Sequence, residues 1–174
     1  MPSLDLLHIS LADQCLYGFS QGSLRVRLPV STALAGAGEV NGSGCTPRGR
    51  HQVRAKIGAG LPQGAVLCSR RWSGEVWTPE LHAQYPGRDW ILSRILWLSG
   101  CEPGFNRLGS VDTFRRYIYL HGTPDSEPLG VPLSHGCVRL RNADLLHLFD
   151  RVPVQCAVLI EEAACPHWGN TPLN

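Results

Sequence analysis

Apolar and positively charged residues alternate in the first third of the chain. Residues 24–30 read Leu-Arg-Val-Arg-Leu-Pro-Val, which has the period of a strand with one buried face. The turn-like sequence Ser-Gln-Gly-Ser at 20–23 separates this strand from an apolar run at 15–19. The two segments are therefore predicted to form a hairpin. Further strands are predicted at 4–11 and 50–57.

Strand-like segments continue through the second half of the chain. The β-branched and aromatic residues at 91–98 favour a strand over a helix. Over 114–121, Tyr and His residues alternate with Ile and Leu, which predicts a strand that ends at His121. The turn-rich sequence Gly-Thr-Pro-Asp follows at once. A last strand is predicted at 154–161.

One segment, 143–151, has a convincing helical pattern. Asn142 is a suitable N-cap, and Pro153 stops the helix. The apolar stripe of this helix consists of Leu145, Leu148 and Phe149. The chain also contains 19 Gly and 13 Pro, which weaken helix interiors and favour short elements joined by turns. The sequence therefore predicts a mainly β domain with one or a few short helices.

Length and charge limit the class of protein. A chain of 174 residues supports one ordinary hydrophobic core, and no linker or internal repeat divides it. We predict a single domain at 1–162 and a C-terminal tail at 163–174. The formal net charge is +2, without the clustered Lys and Arg that nucleic-acid binding requires. Nucleic acid is therefore not an expected partner.

The sequence predicts a cytoplasmic protein without a membrane partner. No run of about 18 uncharged apolar residues is present to span a bilayer. The first 13 residues contain two acids and no Lys or Arg, unlike the basic start of a secretory signal. The seven cysteines are scattered, as is typical of a reducing compartment. Because seven is odd, at least one thiol cannot be paired within the chain.

The thiol with the strongest chemical context is Cys137. A thiol is mostly protonated at neutral pH, so a nucleophilic cysteine needs a nearby base. His135 lies two positions away and is constrained in direction by the backbone. His121 comes from the end of a separate strand, which leaves its imidazole freer to reach the sulfur. We therefore favour His121 as the base.

The neighbours of Cys137 suit a reaction at a carbonyl group. Gly136 lets the backbone turn tightly, so that amides near Cys137 could point at a developing oxyanion. Arg139 follows two residues later and would place a cation where a substrate carboxylate could bind.

Two other interpretations of these residues remain open. Cys137 could be a buried structural thiol, since free cysteines are common in protein cores. His121, His135 and Cys137 could also ligate zinc. No CxxC or HExxH pair supports a metal site. We predict no metal and no cofactor.

The segment from His121 to Leu140 resembles the signature of the L,D-transpeptidase catalytic domain family, also called the YkuD-type family. It contains His-Gly, a loop, and then Ser-His-Gly-Cys followed by a hydrophobic residue. Thr46-Pro47-Arg48-Gly49 is similar to a second family segment, and 142–160 matches the closing helix and strand. The resemblance covers 4–160 and is weakest at 60–110. It implies a mainly β, sandwich-like fold with a short helix after the catalytic loop.

The resemblance also implies a role for each residue of the motif. Cys137 is the expected nucleophile and His121 the general base, with the Gly122 carbonyl orienting the imidazole. Gly122 stands where some members have Ser, a difference expected to cost little. Ser134, His135 and Gly136 are expected to shape the site, with Ser134 also contacting substrate. The amides of Gly136 and Cys137 are the expected oxyanion donors.

The family acts on peptidoglycan stem peptides, which implies that the partners of this chain are peptidoglycan-derived peptides, or muropeptides. The enzyme is expected to attack the carbonyl of an L-centre such as diaminopimelate and to release the following D-Ala. Because a cytoplasmic member would meet soluble fragments of the wall, we expect an L,D-carboxypeptidase of peptidoglycan recycling. The alternatives are an L,D-transpeptidase and a non-catalytic muropeptide sensor. Candidate cations for the terminal carboxylate are Arg139, Arg94, Arg107, Arg115 and Arg116.

Overall fold

The structure, a computed structural model, describes residues 1–165 and consists mainly of β-strands. The strands are β1 (Leu6–Ser10), β2 (Cys15–Ser20), β3 (Ser23–Pro29), β4 (Gly49–Ile57), β5 (Ala65–Cys68), β6 (Arg71–Val76), β7 (Leu92–Gly100), β8 (Tyr119–Thr123), β9 (Val138–Arg141) and β10 (Ala157–Glu161). The helices are α1 (Pro79–Gln84) and α2 (Asn142–Arg151), with a short 3-10 turn at Gly109–Val111. The predicted mainly β class is confirmed.

The strands form one curled sheet that branches at β7. Its main path follows the order β3-β2-β1-β10-β4-β7-β5-β6, and β8 joins β7 to β9. Most neighbours are antiparallel, but β1 pairs with β10, and β8 with β9, in parallel. The predicted hairpin of β2 and β3 is present. Parallel pairing of β8 and β9 is the feature that positions the candidate site.

The core lies between the inner face of this sheet and α2. Alternate residues of the strands point inward, and the apolar stripe of α2 packs against them. Buried members of this cluster include Leu7, Ile9, Leu96, Leu120, Val138, Leu145, Leu148 and Cys156. Burial of the apolar inner face of the sheet against α2 is the main contribution to the stability of the fold.

The predicted strand at 114–121 is shifted along the chain. The segment before β8 forms turns, in which Arg116 N–H donates to the Asp112 carbonyl and Tyr117 N–H to the Phe114 carbonyl. Tyr117 has a φ of 56°, a left-handed conformation that a strand does not accept. The strand therefore begins at Tyr119 and continues past His121, which lies in its middle rather than at its end.

The helices also differ from the prediction in two respects. Asn142 is the first residue of α2 rather than its N-cap, and the cap residue Arg141 makes no side-chain capping bond. The helix α1 was not predicted, although Thr78-Pro79 is a typical helix start and the Thr78 hydroxyl accepts from Leu81 N–H. The predicted last strand begins three residues later, at Ala157.

The predicted tail at 163–174 falls mostly outside the described residues. Within its described part, Cys165 is buried against Tyr17, Phe19 and Leu24. Over residues 1–165, every helix is too short or too polar to cross a lipid bilayer.

Candidate active site

The register of β8 against β9 brings the motif residues to one face of the sheet. His121 is opposite Arg139, and Leu120 is opposite Val138. Because side chains alternate along a strand, Leu120 and Val138 enter the core. His121, Arg139 and the preceding Cys137 instead line a cleft of about 500 Å³ on the other face. Residues separated by 16 positions in the sequence, His121 and Cys137, are thus placed in the same cleft.

The loop before Cys137 is held by hydrogen bonds to its own backbone and to a neighbouring segment. The Ser134 hydroxyl donates to the Cys137 carbonyl at 2.6 Å. The Thr46 hydroxyl donates to the Gly136 carbonyl at 2.9 Å and accepts from Ala33 N–H at 3.0 Å. Thr46 belongs to the second segment that resembles the family, and its contact explains why that segment accompanies the cysteine motif.

Gly136 is required by its backbone conformation. Its φ is 132°, which side chains of L residues rarely adopt, and a Cβ there would lie 3.1 Å from Ile118 Cδ1 and 3.3 Å from the Cys45 carbonyl oxygen. Its amide donates to the Ser134 hydroxyl at 3.2 Å. The Gly136 amide is therefore engaged within the loop, which does not match its expected use as an oxyanion donor.

The Cys137 thiol lies between two backbone groups of the segment leading into β8. Tyr119 N–H donates to Sγ at 3.4 Å, and Sγ donates to the Tyr117 carbonyl at 3.4 Å. Burial raises the pKa of Cys137 to about 12, although the Tyr119 amide and the nearby arginines favour the thiolate. The resting nucleophile is therefore a neutral thiol.

His121 is fully buried and is held by its own neighbour. Its Nδ1 lies 2.7 Å from the Gly122 carbonyl oxygen. A carbonyl can only accept, so Nδ1 carries the hydrogen and Nε2 of the neutral ring is an acceptor. Burial lowers the pKa of His121, against the opposing effect of the Gly122 carbonyl. The imidazole is therefore neutral at rest and able to take a proton through Nε2.

Gly122 is enclosed on its side-chain face. A Cβ at this position would contact Asn142 Oδ1 and would lie 2.7 Å from the Leu92 carbonyl oxygen. The Asn142 amide donates to the Thr123 carbonyl at 2.9 Å, and the Ser93 hydroxyl donates to Asn142 Oδ1 at 2.5 Å. The Ser of some family members has no room here, because Asn142 and the Leu92 carbonyl fill its place.

The charges of two arginines favour the thiolate form of Cys137. Arg116 donates to the Cys45 carbonyl at 2.6 Å, beside Gly136. Arg139 lies beyond Cys137 and forms an ion pair with Asp89 at 3.2 Å. Of the five predicted arginines, these two line the cleft. Arg94, Arg107 and Arg115 are not among the lining residues.

Two charged lining residues, Arg70 and Asp89, come from the segment 60–110, where the resemblance to the family is weakest. Arg70 lies in the turn between β5 and β6, stacks over Trp97 and Tyr117, and donates to the Tyr119 hydroxyl at 3.2 Å. Asp89 lies in the loop between α1 and β7. Neither has a local sequence signal, because each reaches the cleft through contacts with distant residues.

The remaining predicted residues differ in exposure. Ser134 is buried, whereas His135 is exposed at the rim of the cleft. Over residues 1–165, no three His, Cys, Asp or Glu side chains are grouped so as to hold a metal ion. The zinc interpretation of His121, His135 and Cys137 therefore has no ligand set in the described part of the chain.

Known proteins of one family are similar to this chain. The family model of the L,D-transpeptidase catalytic domain (YkuD) matches residues 5–160. The chain belongs to this family. "Probable L,D-transpeptidase YbiS" of Escherichia coli K12 is 35% identical over 88 residues, which are 49% of this chain and 28% of the relative. "Probable L,D-transpeptidase ErfK/SrfK" of Salmonella typhimurium is 47% identical over 45 residues, 26% of this chain and 15% of the relative.

Solved structures of the family share the fold at low sequence identity. An L,D-transpeptidase from Mycobacterium smegmatis superposes with a TM-score of 0.57 at 15% identity, covering 91% of this chain and 59% of that protein. L,D-transpeptidase 3 from Mycobacterium tuberculosis, solved with a faropenem-derived adduct, superposes with a TM-score of 0.56 at 16% identity. This match covers 92% of this chain and 61% of that protein. The chain thus spans less than two thirds of the length of each of these relatives.

Proposed function

We propose that the chain is a cysteine L,D-carboxypeptidase that removes the terminal D-Ala from tetrapeptide muropeptides. The observation that carries this proposal is a cleft that contains a thiol, Cys137, an oriented neutral imidazole, His121, and the arginines Arg116 and Arg139. The imidazole supplies a base for acyl transfer. The arginines suit a peptide that bears carboxylates.

The reaction follows the order of acyl transfer. His121 Nε2 takes the thiol proton as Sγ of Cys137 attacks the carbonyl of the third residue. The Tyr119 amide, which already donates to Sγ, stabilises the thiolate as it forms. The protonated imidazole then gives its proton to the amine of the leaving D-Ala, which leaves a thioester on Cys137. His121 then takes a proton from water as the water oxygen attacks the thioester carbonyl. The C–S bond breaks, the tripeptide leaves with a new carboxylate, and the proton returns from His121 to Sγ of Cys137.

Hydrolysis and transpeptidation differ only in the acceptor that attacks the thioester. The relatives are named as L,D-transpeptidases, which favours an amine acceptor as the second candidate. The proposed place of the hydrolase is the cytoplasm, in peptidoglycan recycling. All seven cysteines carry free thiols, the state that a reducing compartment maintains. We give priority to water as the acceptor for that reason.

The decisive assay incubates the purified protein with a disaccharide tetrapeptide, with and without an added D-amino acid such as D-Met. Mass spectrometry should show tripeptide and free D-Ala in both cases. The Cys137→Ala variant should form neither product, whereas Cys101→Ser, which changes an exposed thiol, should match the wild type. Mainly D-Met-exchanged or dimeric product would instead establish transpeptidation.

Acylation by a β-lactam separates an enzyme from a sensor. A carbapenem should add one acyl group to Cys137, as the faropenem-derived adduct of the M. tuberculosis relative suggests. His121→Ala should slow this acylation strongly, because the thiol is then without its base. A protein that binds muropeptides but forms neither adduct nor tripeptide would be a sensor.

A further inference from the structure

Asp89 is a charge in the cleft that favours the protonated form of His121 and so opposes the lowering of its pKa, but it has no contact with substrate in the proposed reaction. Of the described residues that line the cleft, it is the one acid. Its carboxylate is 3.2 Å from a terminal nitrogen of Arg139. The Arg139 side chain is 13% exposed and the Asp89 side chain 51% exposed, so Asp89 is the member of the ion pair that faces solvent.

The position of Asp89 is unfavourable for the nucleophile alone. Its negative charge raises the pKa of Cys137 and therefore opposes formation of the thiolate. It also weakens Arg139 as a site for a lone carboxylate, because a second negative charge would lie beside the first. A group that carries a cation next to its carboxylate removes both difficulties.

We propose that Asp89 and Arg139 together bind a zwitterionic amino-acid head, with its ammonium on Asp89 and its carboxylate on Arg139. This inference rests on the proposed function, and it names the residues that would recognise the side chain of the third residue of the peptide. The side chain of diaminopimelate ends in such a head, one carbon bearing both charges. A zwitterion can enter between Asp89 and Arg139 without changing the net charge of the site, and each new contact is a charge-assisted hydrogen bond.

The terminal carboxylate of the peptide is then bound elsewhere. The nitrogen of the terminal D-Ala is part of the scissile amide, so this residue carries no ammonium to match Asp89. The other cleft cations, Arg70 and Arg116, have no acid among the cleft-lining residues close enough for an ion pair within the described part of the chain. Arg116 is held by the Cys45 carbonyl, whereas Arg139 is held by Asp89. The two arginines therefore have different partners and suit two different groups of one peptide.

Binding measured without turnover tests this assignment. In a Cys137→Ala background, calorimetry compares a tetrapeptide containing diaminopimelate with the same peptide amidated on the side-chain carboxylate. Amidation should weaken binding about tenfold, the effect of one charged hydrogen bond at a partly exposed site. The amidated peptide probes the Arg139 contact without any substitution in the protein.

Variants assign each charge to its partner. Asp89→Asn should weaken both peptides about tenfold, because both keep the ammonium. Arg139→Gln should weaken the unmodified peptide and should remove its advantage over the amidated one. The controls Asp125→Asn and Arg54→Gln change exposed charges that do not line the cleft, and should change neither affinity.

The outcomes separate this inference from the proposed function. Binding that is unchanged or tighter after Asp89→Asn would overturn the zwitterion site. Equal affinity for the two peptides, in the protein that retains Asp89 and Arg139, would also overturn it. The protein could instead prefer the unmodified peptide and yet, with Cys137 intact, form no tripeptide. That result would support the zwitterion site and contradict the proposed carboxypeptidase activity.

Discussion

The imidazole of His121 is buried and the thiol of Cys137 is partly buried, and burial favours the neutral form of each. The pKa of the thiol is raised to about 12, and that of the imidazole is lowered. A thiolate–imidazolium pair is therefore not the resting state. The proton must move as substrate binds or as Sγ attacks, when the substrate carbonyl begins to share the charge.

The neutral resting thiol has a measurable consequence. The rate of iodoacetamide alkylation at Cys137 should keep rising above pH 9, where an ordinary thiol with a pKa near 8.5 approaches its plateau. Peptide mass spectrometry after digestion measures the rate at this one residue from pH 6 to 10. A plateau at or below pH 7 would show a preformed thiolate and would contradict the burial argument.

Residues of the motif could be predicted from the sequence because their contacts are local. The contact between His121 and the Gly122 carbonyl joins adjacent residues. The Asp89–Arg139 ion pair joins residues 50 positions apart, and its formation depends on how the loop after α1 returns to the sheet. Such a contact leaves no pattern in a single sequence.

At the scale of elements, the site depends on close packing of three of them at Gly122. Leu92 of β7 is opposite Gly122 of β8, and Asn142 of α2 lies over the same point. Asn142 was expected to cap the helix, as its type and position suggest. Its side chain instead joins β7, β8 and α2 through Ser93 and Thr123. This tertiary role overrides the capping preference because it satisfies buried polar groups.

Substitution of Gly122 tests this packing. Gly122→Ala should lower the free energy of unfolding by about 2 kcal/mol, because the added methyl group overlaps Asn142 and the Leu92 carbonyl. Urea unfolding measures the change. Gly87→Ala is the matched control, since a Cβ there meets nothing within 4 Å. If the two variants were equally stable, β7, β8 and α2 would be able to move apart at little cost. That result would contradict the close packing around Gly122.

At the scale of the molecule, the first and last strands are neighbours within the sheet. The first strand, β1, pairs in parallel with the last, β10, and β10 in turn pairs with β4. The family match over 5–160 covers nearly the whole span from β1 to β10. The sequence predicted most of these strands from alternation, but their order could not be predicted, because it is set by pairings between distant segments.

The stability of the fold should depend on pH through His51. This residue lies in β4, is 2% exposed, and has ring nitrogens 3.0 Å from the Gly49 carbonyl oxygen and from Thr113 Oγ1. It thereby connects β4 to the turns that lead into β8. Burial lowers its pKa from 6.5 to about 4.

Because the unfolded chain binds this proton more readily, stability is fully present above pH 6.5 and declines as the pH falls toward 4. The loss from His51 should reach about 3 kcal/mol at the lower limit. Guanidinium unfolding at pH 7.5, 6, 5 and 4 measures it. His51→Gln cannot titrate, so its stability should fall less over this range, with the buried His121 contributing the remaining slope. Parallel losses in the two proteins would exclude His51 as a source of the acid sensitivity, and would place that sensitivity in His121 and the carboxylates.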